Sequence, residues 1–594
     1  MTAIRKKIAY IFVSALLLAS CSDFLQRNPI AQIGSEDYFI NETSLKTYLN
    51  GFINSYTPNH SAVAEEELAG DVLVSVLSWV DYLASDWSPD VESGWSSSDW
   101  NPIYNINYFL KHFREVPGLT EETYNHYEAT ARFWRAFKYF NFVKKFGAVP
   151  FYTEPIDASD TEALYKPRDN REQVMEWILE DLDFACKNLS TSSEWVDNAN
   201  INKYIALAFK SRVCLYEGTY RKYHKTDPST GLAWKKDEAT KYLTEAASAA
   251  KELMDIGKYK LTNSAANVKT QYRALFTSEA VDHGEVIWAN EYNAALSRTH
   301  FLTWRFASGS YGGRVSADQD LIRLYLNLDG TSHTMVQGEQ FVDEVKNRDY
   351  RLAQTWITPG YTKKIGGVTQ LFAPYFGCTL TGYQPIKWNL DDDTYEGAAI
   401  APNSIPIIRY AEVLLNYAEA KAELGQFGDA EWNLTIKPLR ERAGVVGTRF
   451  KTSDPYLKQY YGFDNPDLLE IRRERTIELI LESFRYDDLC RWGCWEKLNK
   501  QWYGIYIPEM GKAYDLNEDG INDVCVVASA KEAGSEKGVT YIIADGKTFS
   551  LENGTSGRLM YNIDRQFSEK RYVHPIPRSA LVVNPQLEQN ASWK

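Results

Sequence analysis

The chain has 594 residues and a formal net charge of −14 at pH 7. A surface of this sign lacks the basic footprint with which proteins bind phosphate backbones, so nucleic acid is excluded as a partner. Beyond the first 20 residues, no apolar run is long enough to cross a bilayer as a helix, which takes about 20 residues.

The first 20 residues have the pattern of a bacterial lipoprotein signal peptide. Arg5, Lys6 and Lys7 form a cationic start, and residues 8–19 are an apolar run too short to span a membrane. Small residues stand directly before Cys21. We therefore expect cleavage after residue 20 and lipidation of Cys21. Because residues 1–20 carry three cations and no acid, the mature chain has a charge of −17 instead of −14.

Helical periodicity dominates the rest of the chain. Segment 124–146 is followed by Gly147 and Pro150, the usual chemistry of a helix end. Ala418 and Ala422 precede a brief turn into the next helical segment, as in tetratricopeptide-type pairs, where small residues let two helices approach. The predicted helices are residues 124–146, 171–189, 202–217, 238–256, 411–424, 430–442 and 468–498, with a short helix at 318–328.

The helical signal fades in two segments that are rich in Gly, Thr, Tyr and Trp, at about 261–405 and at 500–567. Such segments predict long loops with a few short strands over the helical scaffold, where binding residues tend to collect. No Pro/Gly/Ser linker or charge block separates independent units. The sequence therefore predicts one mainly α domain over residues 21–594, with a helical part at about 21–260, a loop-rich ligand-binding region at 261–405, and a C-terminal helical part at 406–594 that contains a loop insertion at 500–567.

Residues 474–489 predict a helix with one apolar and one charged face. Arg475 with Glu478, Glu482 with Arg485, and Asp487 or Asp488 with Arg491 have the spacing of ion pairs along a helix. An acidic ladder is also compatible with the paired carboxylates of a glycoside hydrolase. However, neighbouring arginines lower carboxyl pKa values, whereas a general acid needs a raised one. We therefore assign this segment a structural role.

The same segment, continued by Arg491-Trp492, resembles the signature helix of the SusD/RagB family of surface lipoproteins. Residues 129–150 resemble the N-terminal helix of that family, and residues 409–444 resemble its central repeat. Residues 574–590, which begin with His574-Pro575-Ile576-Pro577, resemble its closing segment. Together with the lipidation motif, the resemblance spans essentially the whole chain.

The resemblance implies a tetratricopeptide-like scaffold with a variable layer of loops that binds an oligosaccharide or polysaccharide. It also implies an outer-membrane protein, lipid-anchored and facing the cell exterior, that requires no cofactor and catalyses no reaction. In this family such a protein delivers glycan to a SusC-like TonB-dependent transporter. The family's sugar contacts vary, so the resemblance carries over no site residue.

The candidate sugar-binding residues come from the chemistry of the ligand. A sugar ring has an apolar C–H face and a polar rim, so a binding site needs flat aromatic rings beside hydrogen-bonding groups. Segments 79–100 and 290–314 supply both. Trp79 and Trp100 adjoin apolar runs and are assigned to packing. The candidate glycan-binding residues are Trp87, Trp95, Tyr292, Trp304, Tyr311 and Arg314.

Residues 515–523 have oxygen-bearing side chains at alternate positions and glycine at the sixth, like the start of a calcium-binding loop. The twelfth position is Val526, where an EF-hand has Glu. A solvated Asn/Asp/Gly turn therefore fits the same residues and is favoured. The candidate calcium ligands are Asp515, Asn517, Asp519, Ile521 and Asp523.

Two other functions remain open. A secreted glycoside hydrolase needs two catalytic carboxylates, and the chain has 79 acidic residues, although it contains no HExxH motif, nucleophile elbow or P-loop. A structural transporter lid that binds a peptide, or no glycan at all, needs only the repeat surface. A glycan receptor without catalysis is the leading hypothesis.

Overall fold

The computed structural model describes residues 38–64, 70–76, 87–157, 159–192, 200–235, 238–334, 336, 338–563, 565 and 567–594. Cys21 and the signal peptide lie outside these residues, as does Trp79. Among the described residues, no helix combines the length and the apolar character needed to cross a bilayer.

Helices make up most of the described scaffold. The α-helices are α1 (Glu42–Tyr56), α2 (His60–Ala64), α3 (Ser97–His112), α4 (Glu121–Phe146), α5 (Thr161–Leu164), α6 (Arg171–Asn188), α7 (Lys203–Tyr223), α8 (Ala239–Ile256), α9 (Gln271–Thr277), α10 (Leu302–Ala307), α11 (Gln319–Leu324), α12 (Phe341–Glu344), α13 (Tyr350–Thr355), α14 (Tyr410–Glu423), α15 (Asp429–Leu434), α16 (Ile436–Arg442), α17 (Pro455–Tyr461), α18 (Pro466–Glu478), α19 (Arg485–Arg491) and α20 (Arg578–Val583). The 3₁₀ turns are Phe113–Glu115, Ala265–Asn267, Asp393–Glu396, Trp495–Leu498, Glu569–Tyr572 and Ala591–Trp593.

The long helices pack side by side, which confirms the predicted scaffold of helical pairs. Helix α4 lies against α6, α7 against α8, α8 against α14, and α14 against α18. The α7–α8 contact needs a small residue, because a Cβ on Gly218 would lie 2.8 Å from Cγ of Leu243. Ala418 of α14 is fully buried. Gly218 therefore sets the close approach of α7 and α8, and the predicted small residue Ala418 lies in the core.

Local chemistry explains where the long helix α4 starts and stops. The hydroxyl of Thr120 accepts the amide of Thr123 at 3.1 Å, which satisfies one free donor of the first turn. Gly147 ends the helix with a φ of +74°, a conformation that glycine adopts without steric cost. The observed helix differs from the predicted segment 124–146 by three residues at its start.

The prediction of one helix over 468–498 is wrong, because α18 ends at Glu478 and α19 starts at Arg485. Two of the intervening carbonyls accept hydrogen bonds from side chains of the loop-rich region instead of from helical amides. Lys387 Nζ donates to the carbonyl of Ile480 at 2.6 Å, and Trp388 Nε1 donates to that of Leu481 at 2.9 Å. These tertiary bonds replace the next helical turn.

Three other predicted helices also differ from the structure. The helix predicted at 202–217 continues to Tyr223 as α7. Segment 430–442 is divided into α15 and α16 at Thr435, whose φ of −124° and ψ of −75° are not helical. The helix predicted at 318–328 stops at Leu324, because Tyr325 adopts an extended backbone.

Short strands form the loop layer. Strands β2 (Val286–Asn290) and β6 (Ile405–Arg409) pair antiparallel and join the C-terminal end of the loop-rich region to a segment nearer its start. The other strands are β1 (Leu73–Val74), β3 (Ser316–Ala317), β4 (Thr362–Ile365), β5 (Val368–Leu371), β7 (Trp502–Ile507), β8 (Ala513–Tyr514), β9 (Val524–Val527), β10 (Thr540–Ile543), β11 (Phe549–Leu551) and β12 (Gly557–Tyr561). They form the pairs β1–β3 and β4–β5 and the sheets β11–β12–β7 and β10–β9–β8.

Helix α18 carries a buried network of charges that fixes the centre of the fold. The carboxylate of Glu478 lies 2.8 Å from Arg351 and 3.0 Å from Arg409, and it also pairs with Arg442. Burial alone would raise the pKa of Glu478, but these three cations lower it well below its usual range.

The structural role assigned to this segment fits the observed geometry. Of the three predicted pairs, Asp488 with Arg491 occurs at 2.9 Å, whereas the acidic and basic groups of the other two have different partners. Glu478 and Glu482 pair with arginines from other segments, and Arg475 pairs with Asp488 at 2.8 Å.

Candidate functional site

Trp304 and Tyr311 lie together on the surface of the loop layer. Their rings stack with centroids 3.8 Å apart and an interplanar angle of 21°. Trp304 is half-buried, and 39% of Tyr311 is exposed. The guanidinium carbon of Arg305 lies 4.7 Å from the centre of the Tyr311 ring, a cation–π distance. The structure thus brings two of the predicted residues into one aromatic surface, here called the ring platform.

Short helix α10 places Trp304 in the ring platform. Its other face is anchored in the core by Leu302, which is fully buried, and by Phe306, which is 2% exposed. The hydroxyl of Thr303 accepts the amide of Leu390 at 3.0 Å. The ring of Trp304 is therefore held by a helix fixed on its opposite side.

The loop after α10 folds back tightly enough to stack Tyr311 on Trp304. The Ser308 hydroxyl accepts the amide of Tyr311 at 3.2 Å, and the Gly312 amide donates to the Ser308 carbonyl at 2.9 Å. A Cβ on Gly312 would overlap that carbonyl oxygen, so the position requires glycine. Gly312 therefore has a steric function beside the ring platform.

His300 fixes the start of the segment that carries the ring platform. Its Nδ1 accepts the amide of Leu302 at 3.2 Å, and its Nε2 donates to the carbonyl of Asn403 at 2.8 Å. Both ring nitrogens are thus used by the neutral form. Burial lowers the pKa of His300 to about 4.

A cavity of about 570 Å³ adjoins the ring platform and extends towards the β4–β5 hairpin and the loop at 515–523. Its volume is within the usual range of ligand sites. Ser308 and Gly309 of the platform loop line it. The other side chains that could face a ligand there are those of Lys363, Phe372, Tyr375, Asp393, Glu396, Asn517, Asp519 and Asp523.

Two aromatic residues of this cavity, Phe372 and Tyr375, are not among the residues predicted from the sequence, and Tyr375 is the one that borders the platform loop. It is 48% exposed. A Cβ on Gly309 would lie 3.5 Å from its Cε1, so Tyr375 borders the platform loop. The signal was the aromatic run at residues 372–376, where Pro374 and a following glycine interrupt regular structure.

Two carboxyl groups of this cavity, those of Glu396 and Asp523, have raised pKa values. Burial raises the pKa of Glu396, which nonetheless pairs with Lys363. Burial, together with the neighbouring charges of Asp515 and Asp519, raises the pKa of Asp523 to about 6. A cavity with both carboxyl groups and an ammonium group can accept hydrogen bonds from sugar hydroxyls and donate to them.

Two predicted ligand residues have structural contacts instead, and their assignment is revised. Tyr292 is 8% exposed, and its hydroxyl lies 3.0 Å from Nδ1 of His60, so its ring is not available to a ligand. Arg314 donates to the carbonyls of Phe376 at 2.7 Å and Thr379 at 3.1 Å. It therefore positions the segment that follows Tyr375.

Trp87 and Trp95 lie elsewhere in the molecule. Trp87 packs edge-on against His574 at 4.6 Å and Trp593 at 5.0 Å, so it joins the N-terminal region to the C-terminal segment. We therefore revise its assignment to packing. Trp95 is half-buried and lines a different cavity, beside Trp100.

The loop at 515–523 uses its side chains on its own backbone. Both carboxylate oxygens of Asp515 accept loop amides, among them that of Gly520 at 2.8 Å. Asp519 accepts the amide of Ile521 at 2.8 Å. Within the described residues, no three His, Cys, Asp or Glu side chains form a group that could hold a metal ion. Calcium binding at this loop stays a prediction.

A second cavity, of about 760 Å³, lies between α2, α4, α7 and the turn before α19. Its charged groups are already paired: Lys144 with Asp487 at 2.6 Å, and Arg475 with Asp488 at 2.8 Å. We therefore place the candidate site at the ring platform.

The fold and the ring platform define a class: a helical-repeat protein whose loops present an aromatic surface of the kind that sugar-binding proteins use. Comparison with known proteins agrees. A family model described as "SusD family" matches residues 284–593, more than half of the chain. A second model, described as "Starch-binding associating with outer membrane", matches residues 23–215. The chain belongs to the SusD family, which confirms the resemblance found in the sequence.

Relatives and solved structures match over most of the chain. Two SusD-like proteins of Formosa agariphila are 22% and 25% identical; the alignments cover 82% and 87% of this chain and 90% and 95% of theirs. A SusD-like protein from Bacteroides fragilis has a TM-score of 0.68 at 20% identity, over 95% of this chain and 100% of its own. A SusD-like carbohydrate-binding protein from the same organism has a TM-score of 0.66 at 20% identity, over 93% and 100%. These likenesses confirm the fold.

Proposed function

We propose that this protein binds an oligosaccharide or polysaccharide at the ring platform without cleaving it. The observation that carries the proposal is the stacked, partly exposed pair of Trp304 and Tyr311 beside a cavity with unlike charges. Aromatic faces match the C–H face of a sugar ring, and the polar groups of the cavity match its hydroxyl groups. The carbohydrate-binding character of the family supports the same conclusion.

The proposal extends to location and partner. The lipidation motif at Cys21 and the outer-membrane description of the family model support a lipid-anchored protein at the outer membrane, facing the cell exterior. A binding protein at this location passes its ligand to a SusC-like TonB-dependent transporter. Co-purification of such a transporter with the tagged protein from outer membranes tests this part.

Trp304→Ala tests the ring platform directly. We expect at least tenfold weaker binding, or about 1.4 kcal/mol, because aromatic anchors contribute this much or more when truncated. The measurement is retardation in native gels that contain soluble starch, xylan, mannan or pectin, followed by titration calorimetry with oligosaccharides of the retarding polymer. Leu296→Ala is the matched control, since Leu296 lies in the same segment and is 78% exposed.

The hydrolase hypothesis is tested on the same samples. Glu396 and Asp523 have raised pKa values in the cavity, which is a property of general acids. We expect no new reducing ends during incubation with the bound polymer. Reducing ends that disappear in Glu396→Gln or Asp523→Asn would instead assign catalysis to these carboxyl groups.

Equal glycan affinities of Trp304→Ala and Leu296→Ala would contradict binding at the ring platform.

A further inference from the structure

A separate aromatic cavity of about 470 Å³ lies between α3, the segment that follows Pro150, and α20. It shares no lining residue with the cavity beside the ring platform. Five aromatic side chains line it: Trp95, Trp100, Tyr104, Tyr152 and Tyr165. Its volume suits a ligand of a few sugar rings.

The inner rings of this cavity are held rigidly. Trp100 stacks on Phe142 with centroids 4.4 Å apart and an angle of 19°, and Trp95 packs edge-on against Trp100 at 5.3 Å. The hydroxyl of Tyr152 donates to the carbonyl of Ala163 at 3.1 Å. A ligand would therefore meet ring surfaces that are already ordered, which lowers the entropy cost of binding.

The outer rings are exposed to an unusual degree for large apolar side chains. Tyr104 is 45% exposed, Tyr165 is 37% exposed, and the adjacent Leu164 is 40% exposed. Contiguous exposed apolar surface marks a binding site more often than scattered exposure does. The cavity therefore offers aromatic faces at its opening as well as at its base.

Polar groups at the opening have no partner within the described part of the chain. The hydroxyls of Tyr104 and Tyr165 and the side chains of Asn101 and Glu154 line the cavity, and none of them makes a side-chain hydrogen bond there. They supply hydrogen-bond donors and acceptors around the rings. Flat apolar faces with free donors and acceptors at their edges match a sugar ring better than a purely aliphatic ligand.

The remaining wall is fixed to the rest of the cavity. The amide of Arg578, at the start of α20, donates to the carbonyl of Pro89 at 2.9 Å, and its guanidinium pairs with Asp90. Asn584 donates to the carbonyl of Lys166 at 3.2 Å. These contacts hold the C-terminal segment in place on both sides of α20. The wall that α20 forms is therefore fixed to the rest of the cavity.

We propose that this cavity is a second carbohydrate-binding site, which takes sugar rings of the same polysaccharide at a distance along the polymer from the ring platform. The proposal rests on the proposed function. Two weak sites on one protein retain a long polymer more strongly than either site alone, because the second contact is intramolecular. Short oligosaccharides that reach only one site gain nothing from the other.

The test uses the full-length protein in detergent, in native gels containing soluble starch, xylan, mannan or pectin. The double variant Tyr104→Ala/Tyr165→Ala removes the two exposed rings, and Val582→Ala, a 75% exposed position of α20 outside the cavity lining, is the matched control. We expect at least threefold weaker retention of the double variant on the polymer that retards the wild type. Its calorimetric Kd for a short oligosaccharide at the ring platform should stay within twofold.

A second pair of variants separates the role of the rings from that of the hydroxyls. Tyr104→Phe/Tyr165→Phe keeps the packing and should lose less retention than the alanine variant. Trp304→Ala should keep a residual retention that disappears when Tyr104 and Tyr165 are also replaced by Ala.

Each other outcome is decisive. Wild-type retention in the double alanine variant would overturn the second site and leave the ring platform intact. Loss of transporter co-purification with unchanged retention would assign the cavity to a protein partner and overturn the proposal. No retardation of the wild type by any of the four polymers would reject the proposed function and the second site together.

Discussion

Acidification should destabilise this protein through His300, which holds the start of the segment that carries the ring platform. The neutral imidazole accepts the amide of Leu302 at Nδ1 and donates to Asn403 from Nε2. Protonation of Nδ1 would place a new N–H against the amide of Leu302. Replacement by Gln keeps a donor and an acceptor at this position and removes the titration.

The size of the effect follows from the difference between the folded and unfolded pKa values. The pKa of His300 falls from 6.5 to about 4 on folding, mainly because the side chain is buried, with 1% exposed. A histidine with a lowered folded pKa contributes stability above pH 6.5 that is lost as the pH falls towards 4. The linkage relation gives a loss of about 2 kcal/mol at pH 5 and about 3 kcal/mol at pH 4.

The assay is urea denaturation between pH 7 and pH 5, followed by tryptophan fluorescence, for the wild type and for His300→Gln. The variant should lose about 2 kcal/mol less than the wild type over this range. As the pH is lowered, glycan affinity should decrease more in the wild type than in the variant, because α10 and Trp304 follow His300 directly. His283→Gln, at an exposed position, controls for the exchange itself. Parallel pH curves for the wild type and His300→Gln would refute the reasoning.

Three further predictions concern the loop, the core and calcium. Gly312→Ala should weaken glycan binding at least fivefold by calorimetry, because its Cβ would overlap the Ser308 carbonyl. Gly309→Ala is the control and should bind as the wild type does, because the nearest neighbour of its Cβ lies at 3.5 Å. Equal affinities of the two variants would show that the loop adapts. Glu478→Gln should cost about 3–5 kcal/mol in the free energy of unfolding, because three buried arginines lose their shared carboxylate; a loss under about 1 kcal/mol would show that this charge is dispensable. EDTA should leave glycan binding within twofold, and a calcium-dependent rise in the thermal midpoint that Asp519→Asn abolishes would assign an ion to the loop at 515–523.

The helical scaffold was predictable because its signals are local. Periodicity and end chemistry located α4, α6 and α8 to within a few residues. The error at 468–498 has a tertiary cause: Lys387 and Trp388, which are remote in sequence, bond to the carbonyls of Ile480 and Leu481. The hydrophobic periodicity of the segment itself does not indicate hydrogen bonds from residues so remote in sequence.

The candidate site was predictable only in part, because residue type and neighbours do not fix which rings meet. Trp304 and Tyr311 are close in sequence, and a glycine-rich turn could bring them together. Tyr292 has similar polar neighbours, yet it is buried against His60 through contacts across the chain. Tyr375 joins the site through the fold of the loop layer, and the sequence offers only its aromatic neighbourhood as a signal.

The turn between α18 and α19, whose carbonyls accept hydrogen bonds from Lys387 and Trp388, links scaffold and loop layer into a single folding unit. Because Lys387 and Trp388 complete the end of a central helix, residues 261–405 cannot be removed or transplanted as an independent module without exposing carbonyls in the core. The segments around residues 309–311 and 372–375 do not supply side chains to the end of α18. New ligand preferences can therefore arise, or be engineered, by changes in these two loop segments while Lys387 and Trp388 are kept.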